Sequence, residues 1–149
     1  MQEKAYDKIS HDYLWKVLEK FELPDQFIKT VQSIYRTAET VIIINGEISS
    51  LYKVTRGVRQ GDPLSCILFN IAIEPLAAML RKSDLRGIKI SGLTEKLITI
   101  LFADDTTVYL AETDKFSDLQ DILQQWCKAS GAKYNITKTE VILLGSQKY

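Results

Sequence analysis

Residues 102–105, Phe102-Ala103-Asp104-Asp105, decide the fold and the chemistry that this sequence predicts. They lie between two apolar segments, residues 97–102 and 106–110, in a pattern typical of two strands joined by a turn. Asp is common in turns, so a purely structural role is one interpretation. Two adjacent carboxylates repel each other, however, and a turn does not need that repulsion. Because Mg²⁺ binds carboxylate oxygens and would offset the repulsion, the pair predicts a metal site.

A glycine-punctuated loop comes earlier in the chain: Arg56-Gly57-Val58-Arg59-Gln60-Gly61-Asp62-Pro63-Leu64-Ser65. Its glycines permit backbone conformations and close approaches that other residues resist. Two arginines within four residues suit phosphate groups, and the loop leads into a helix N-terminus, which favours anions. An ordinary loop with solvated arginines is the alternative, and the loop in isolation does not decide between the two. A third stretch, residues 135–140, indicates little by itself, because a turn lysine such as Lys138 is usually solvated.

The hydrophobic pattern predicts helices and strands in alternation. Helices are predicted over residues 14–21 with Ser10 as N-cap, over residues 24–34, over residues 63–80 with a kink at Pro75, and over residues 116–131. The predicted buried face of the first helix consists of Leu14, Val17, Leu18 and Phe21, and the predicted apolar stripe of the second consists of Phe27, Ile28, Val31 and Ile34. Strands are predicted at residues 41–44 and 48–54 across Asn45-Gly46, at 88–90, on both sides of the acidic pair, and at 141–144. Residues 63–80 are apolar almost all round, which predicts a central, buried helix. The mixture predicts an α+β fold with an antiparallel sheet.

The composition is that of one globular domain. The chain has 149 residues, and its 19 Lys and Arg balance its 19 Asp and Glu. Zero net charge argues against binding nucleic acid through bulk charge alone, although Lys53, Arg56 and Arg59 form a local basic strip. We expect Cys66 and Cys127 to be buried free thiols. The polar first residues do not resemble a signal peptide, and no apolar run approaches the ~20 residues that span a bilayer. We therefore expect an intracellular protein, in cytoplasm or nucleus, without a membrane contact.

Taken together, these stretches resemble the palm of reverse transcriptases from non-LTR (LINE-type) retrotransposons and group II introns. Residues 3–7, Glu3-Lys4-Ala5-Tyr6-Asp7, resemble the end of polymerase motif A. Residues 56–69 resemble motif B, residues 102–105 motif C and residues 135–144 motif D. The resemblance covers essentially the whole chain. It implies a polymerase palm, an antiparallel sheet packed by helices in a ferredoxin-like (RRM-like) core, with residues 1–149 as a partial palm that lacks fingers and thumb.

The resemblance also implies a role for each site residue. Asp104 and Asp105 would bind the catalytic Mg²⁺ or Mn²⁺ ions for addition of a dNTP to a DNA primer on an RNA template. Lys4 and Ala5 would present backbone N–H groups to the triphosphate, and Tyr6 would exclude a ribose 2′-OH. The remaining residues would line the new base pair (Gln60, Gly61), contact nucleic acid (Arg56, Arg59) and help to protonate the pyrophosphate leaving group (Lys138).

The start of the chain departs from the family pattern. Motif A has a metal-binding Asp four residues before Ala5, where this sequence has Met1, and a thioether does not hold Mg²⁺. We therefore expect a palm truncated in the motif A strand, and the sequence leaves open whether Glu3 or Asp7 replaces the missing carboxylate. Ser65-Cys66 stands where the family usually has Ser-Pro, a mild change at a helix start.

Three functions stay open at this point. The chain is an inactive fragment of a retroelement reverse transcriptase, an excerpt of an active polymerase, or a non-catalytic module that binds nucleic acid or a partner, since fold does not imply function. The partners that the resemblance implies are RNA template, DNA primer and dNTP, and we expect the chain alone to bind them weakly.

Overall fold

The computed structural model describes residues 2–92 and 94–145 of the chain. Within these residues the helices are Ala5–Lys8 (α1), His11–Lys20 (α2), Asp25–Arg36 (α3), Pro63–Lys82 (α4) and Phe116–Ser130 (α5), with a 3-10 helix at Ile136–Lys138. The strands are Glu39–Thr40 (β1), Ile43–Ile44 (β2), Glu47–Ile48 (β3), Tyr52–Lys53 (β4), Ile88–Lys89 (β5), Lys96–Leu97 (β6), Thr99–Phe102 (β7) and Asp105–Val108 (β8).

The strands form antiparallel two-stranded ribbons, which pair β1 with β4, β2 with β3, β5 with β6, and β7 with β8. Mixed helices and antiparallel strands agree with the predicted α+β class. In the described part of the chain, the antiparallel pairing is divided among four separate two-stranded sheets. Every strand there pairs with a partner that is close in sequence, because closing a short loop costs little chain entropy.

Helix α4 forms the centre of the core, as predicted, with α2 and α5 packed against it. Its buried residues are Ser65, Leu68, Phe69, Ala72, Ile73, Leu76, Ala77 and Leu80. The opposite side is open, and Ile67 is 56% exposed, so the helix is central as predicted but buried on one side only. The helix runs unbroken through Pro75.

Helix α4 is also long and apolar enough to cross a membrane, by length and composition alone. The prediction that no segment reaches this length is therefore wrong. A core helix passes the same test, and much of α4 faces the protein interior.

The helices before α4 differ from prediction in which residues they bury. Leu14, Val17 and Leu18 of α2 are buried as predicted, while Phe21 is 46% exposed. Helix α3 buries Ile28, Val31 and Tyr35. Its predicted apolar stripe also contained Phe27 and Ile34, which are 38% and 53% exposed. Tyr35 lies seven residues after Ile28 and therefore on the same side of the helix. The last residue of the buried face is thus Tyr35 and not Ile34, the residue before it.

The β2–β3 hairpin turns at Asn45-Gly46, as predicted, with φ angles of 51° and 86°. Residues 141–144, predicted as a strand, have no strand structure and are 71–82% exposed. A strand is stabilised through hydrogen bonds to a partner, and no described strand lies beside this segment. The apolar composition alone therefore does not make it a strand.

Candidate active site

The acidic pair lies at the tip of the β7–β8 ribbon. Phe102 pairs with Asp105 across a two-residue turn made by Ala103 and Asp104. Ala103 has a φ of 51°, a left-handed conformation that costs a residue with a Cβ about 1 kcal/mol. Asp104 is half-buried and Asp105 is exposed. The hairpin predicted from sequence is thus confirmed, and it presents two neighbouring carboxylates at its end.

The N-terminal segment, residues 2–10, joins this tip to the other predicted site regions. The Gln2 N–H donates to the Asp104 carbonyl at 3.0 Å, and the Glu3 N–H donates to the Lys133 carbonyl at 2.7 Å. On the other side, the Val58 N–H donates to the Tyr6 carbonyl at 2.6 Å. Segments that lie far apart in sequence therefore meet around residues 2–10.

Gly57 lies against the backbone of residues 6–9. Its N–H donates to the Ile9 carbonyl at 2.7 Å, and its φ is +80°. A Cβ at this position would lie 2.7 Å from both Asp7 Cα and the Tyr6 carbonyl oxygen. The glycine is therefore required both by the backbone conformation and by the packing of the loop on α1.

His11 fixes the same loop from the other side, and sequence reasoning missed it. Its Nε2 lies 2.8 Å from the Gly57 carbonyl oxygen, which can only accept, so Nε2 carries the proton. The two residues are 46 positions apart. No local pattern connects residues at that separation, so the sequence carried no signal for this contact.

Tyr6 packs against the start of α4. Its ring stacks on Phe69, with centroids 4.5 Å apart and an interplanar angle of 14°. Partial burial, together with the neighbouring Cys66 thiol and the negative charge of Asp104, raises the pKa of Tyr6 above its ordinary value. Cys66 itself is exposed, so the prediction of a buried thiol is wrong there, whereas Cys127 is half-buried. The phenol is thus neutral at physiological pH.

The remaining predicted residues lie on the surface. Gln60 and Gly61 are exposed, and Gly61 has a φ of +86° with open space around it. The loop ends at Asp62, whose Oδ1 accepts from the Leu64 N–H at 2.9 Å and caps α4. Arg56 and Arg59 are exposed, and neither makes an ion pair with another described residue.

Lys138 and Lys4 are also exposed. Lys138 lies in the 3-10 helix that follows a backbone bridge between Gln2 and Tyr134, but no contact in the described part of the chain joins its side chain to the acidic pair. Lys4 has a φ of 46° and Ala5 begins α1.

Among the described residues, the candidate ligands for a metal ion are the two carboxylates of the acidic pair. Across residues 2–92 and 94–145, no group of three or more His, Cys, Asp or Glu side chains is close enough to share one. Glu3 instead pairs with Lys8 at 3.3 Å and Lys133 at 3.5 Å, and hydrogen bonding to Lys8 lowers its pKa. Met1, where the sequence lacks the expected Asp, lies outside the described residues. The pair fits one Mg²⁺, which usually takes one or two protein carboxylates and completes its shell with water or phosphate oxygens.

Comparison with known proteins identifies the relatives of this chain. Residues 2–148 match the family model described as "Reverse transcriptase (RNA-dependent DNA polymerase)". The chain is 33% identical over 147 residues to the Transposon TX1 uncharacterized 149 kDa protein of Xenopus laevis, an alignment covering 99% of the chain and 11% of that protein.

Two further relatives are Pol polyproteins of R2 retrotransposable elements. The Pol polyprotein of the type-2 retrotransposable element R2DM of Drosophila melanogaster is 31% identical over 135 residues, which is 91% of the chain and 12% of the polyprotein. The Pol polyprotein of a type-1 R2 element of Popillia japonica is 30% identical over 124 residues, 83% of the chain and 20% of that polyprotein. The chain therefore spans between a tenth and a fifth of the length of these relatives.

Proposed function

The chain belongs to the reverse transcriptase family, and we propose that it forms part of the palm of an RNA-directed DNA polymerase from a non-LTR retrotransposon. The observation that carries the proposal is the convergence of three segments on one small region. Residues 2–10 contact the acidic hairpin through Asp104 and the glycine loop through Gly57 and Val58. Such an enzyme acts inside the cell, where RNA template, DNA primer and dNTP are available.

In this proposal Asp104 and Asp105 hold Mg²⁺ or Mn²⁺. The bound ions would supply activation of the primer hydroxyl and neutralisation of charge on the phosphates. Tyr6, held flat against Phe69, would border the sugar of the incoming dNTP and exclude a 2′-OH. A ring that is fixed by stacking would exclude a ribose more effectively than a mobile ring, because it cannot move aside to make room for the 2′-OH.

The other site residues would orient the substrates. Backbone N–H groups of Lys4 and Ala5 would face the triphosphate at the start of α1, where the first amides of a helix lack intrahelical acceptors. Gln60 and Gly61 would line the new base pair, since a glycine lets a base approach the backbone. The other two roles are phosphate contact by Arg56 and Arg59 and proton donation to pyrophosphate by Lys138.

Binding of Mn²⁺ tests the metal site without requiring catalysis. Relaxation of water protons by Mn²⁺ should report binding to the chain in the presence of dNTP, and the Asp104→Asn, Asp105→Asn double variant should lose it, because both hard oxygen ligands lose their charge. Asp84→Asn, which alters an exposed carboxylate elsewhere, is the matched control. Equal Mn²⁺ binding by the wild type and the double variant would refute the assignment.

We further propose that the chain alone does not extend a primer, because no third His, Cys, Asp or Glu joins the acidic pair in a metal-binding group among the described residues. Purified chain should give no Mg²⁺-dependent extension on an RNA template above the level of the Asp104→Asn variant. Robust extension by the wild type, lost in that variant, would show that the two carboxylates suffice. Reading the transcript upstream of the Met1 codon distinguishes a fragment from an excerpt of a longer polymerase.

A second candidate is a non-catalytic module that binds nucleic acid. The observation in its favour is the exposed strip of Lys53, Arg56 and Arg59, which are outside the ion pairs of the described residues. Salt-dependent binding of an RNA–DNA hybrid that persists without divalent metal and in the Asp104→Asn, Asp105→Asn variant would favour it. Absence of binding even at low salt would exclude it.

A further inference from the structure

A cleft of about 400 Å³ lies between α2, α3 and the segment that follows β4. It is separate from the acidic hairpin: no residue of β7 or β8 lines it. Its size falls within the range typical of sites for small molecules and nucleotides. Its lining combines aromatic rings with charged groups and includes His11, Asp12, Trp15, Tyr35, Arg36 and Lys53.

The aromatic part of the lining is one connected cluster. The Trp15 ring lies 5.6 Å from the His11 ring and 5.9 Å from the Tyr35 ring, and His11 lies 5.1 Å from Tyr35 in an edge-on arrangement. His11 is anchored through Nε2 to the Gly57 carbonyl oxygen, and Tyr35 is 9% exposed. Trp15 is half-buried and the most open of the large rings. The cluster therefore holds an indole in a fixed position beside open space.

The charged part of the lining favours an anion. Arg36 and Lys53 are both exposed and outside the ion pairs found among the described residues, whereas Asp12 is the one acid that lines the cleft. Glu39 lies opposite Lys53 in the β1–β4 ladder and weakens this preference without reversing it. Two cations beside a rigid aromatic surface match the phosphate and the base of one nucleotide.

We propose that this cleft binds a single unpaired nucleotide of a nucleic-acid strand, with the base against Trp15 and the adjoining phosphates on Arg36 and Lys53. The hydrogen bond from His11 to Gly57 places the cleft next to the loop that carries Arg56 and Arg59. A strand leaving the cleft would therefore continue along exposed cations. The class of ligand rests on the proposed function, but the binding itself does not involve the acidic pair.

Tryptophan fluorescence tests the proposal on the full chain without divalent metal. The chain has two tryptophans, and Trp126 is 1% exposed, so quenching by a ligand in solution reports Trp15. The probes are short oligoadenylate RNA, the same sequence as DNA, and an abasic oligonucleotide of equal charge. RNA and DNA should both quench, and their relative affinities identify the strand that the cleft prefers. The abasic probe should bind about tenfold more weakly, because it cannot stack.

Surface variants separate the cleft from general charge attraction. Arg36→Gln should weaken oligoadenylate binding and reduce the slope of log affinity against log salt by about 0.7, the value for one lost phosphate contact on a single strand. Glu39→Gln should strengthen binding. Lys128→Gln removes an exposed cation on α5 and should change neither affinity nor slope.

Several outcomes would overturn the proposal. They are equal affinity for the abasic and base-containing probes, no quenching at low salt, or equal weakening by Arg36→Gln and Lys128→Gln. The Asp104→Asn, Asp105→Asn variant should bind oligoadenylate normally, so a failure of the metal assignment and a failure of this cleft give different results.

Discussion

Gly57 illustrates how one residue determines whether the candidate site can assemble. Its amide and its carbonyl are both engaged, by Ile9 and His11 respectively, and a Cβ would be placed against the backbone of Tyr6 and Asp7. Gly61, four residues later, has nearly the same positive φ of +86°, but a Cβ there would have no other atom within 4 Å. A substitution at Gly61 therefore carries the cost of the backbone conformation alone, whereas a substitution at Gly57 adds the cost of a packing clash.

We predict that Gly57→Ala destabilises the chain by about 2–4 kcal/mol, because it combines a left-handed φ with a clash against backbone that cannot rotate away. Gly61→Ala should cost about 1 kcal/mol, since only the conformational term applies. Urea unfolding followed by circular dichroism measures both. Equal losses for the two variants would mean that the loop does not contact α1 in solution.

At the level of elements, Tyr13 connects helices α2, α4 and α5. Its hydroxyl donates to the Ala72 carbonyl in α4 at 2.9 Å and accepts from the Trp126 indole N–H in α5 at 2.9 Å. The tyrosine hydroxyl thus orients α2 against both neighbours.

We predict that Tyr13→Phe lowers the free energy of unfolding by about 1–3 kcal/mol at neutral pH, because the Trp126 N–H loses its acceptor. Burial raises the pKa of Tyr13 to about 12, against the lowering effect of the Trp126 hydrogen bond. The folded chain holds this proton more tightly than the unfolded chain. The stabilisation is therefore complete below the unfolded pKa of about 10 and is lost as pH rises toward 12.

Urea unfolding at a series of alkaline pH values tests this prediction. The difference in free energy of unfolding between the wild type and Tyr13→Phe should become smaller above pH 10. Tyr52→Phe, at a position 46% exposed, should leave both stability and its pH dependence unchanged. A constant difference across the series would contradict the assignment.

The success of sequence reasoning also varied by element. The helix starts at Pro63 and Phe116 and the tight turn at Asn45-Gly46 were predictable, because caps, periodicity and turn residues act over a few positions. Residues 141–144 were not, since their apolar pattern specifies a strand only if a partner strand is present. In the candidate site, the acidic hairpin could be read from sequence, whereas His11 and Phe69 could not, because their roles depend on contacts between distant segments.

At the scale of the whole molecule, equal numbers of acidic and basic residues leave no net charge to keep copies apart. Two apolar surfaces are exposed at the same time. One is the β2–β3 hairpin, where Ile43, Ile44 and Ile48 are 65–68% exposed, and the other is residues 141–144. Exposed apolar surface of this kind promotes association between molecules. The chain alone should therefore self-associate as its concentration rises.

We predict that the Val141→Lys, Leu143→Lys double variant reduces this self-association without loss of stability, because both side chains are largely exposed, at 78% and 82%, and surface substitutions usually change stability by less than about 0.5 kcal/mol. Sedimentation velocity over a concentration series measures the association. The control, Gln120→Lys with Gln124→Lys, adds the same charge on the exposed side of α5. If the control variant reduces self-association equally, net charge governs the association. Residues 141–144 are then not the surface through which the molecules associate.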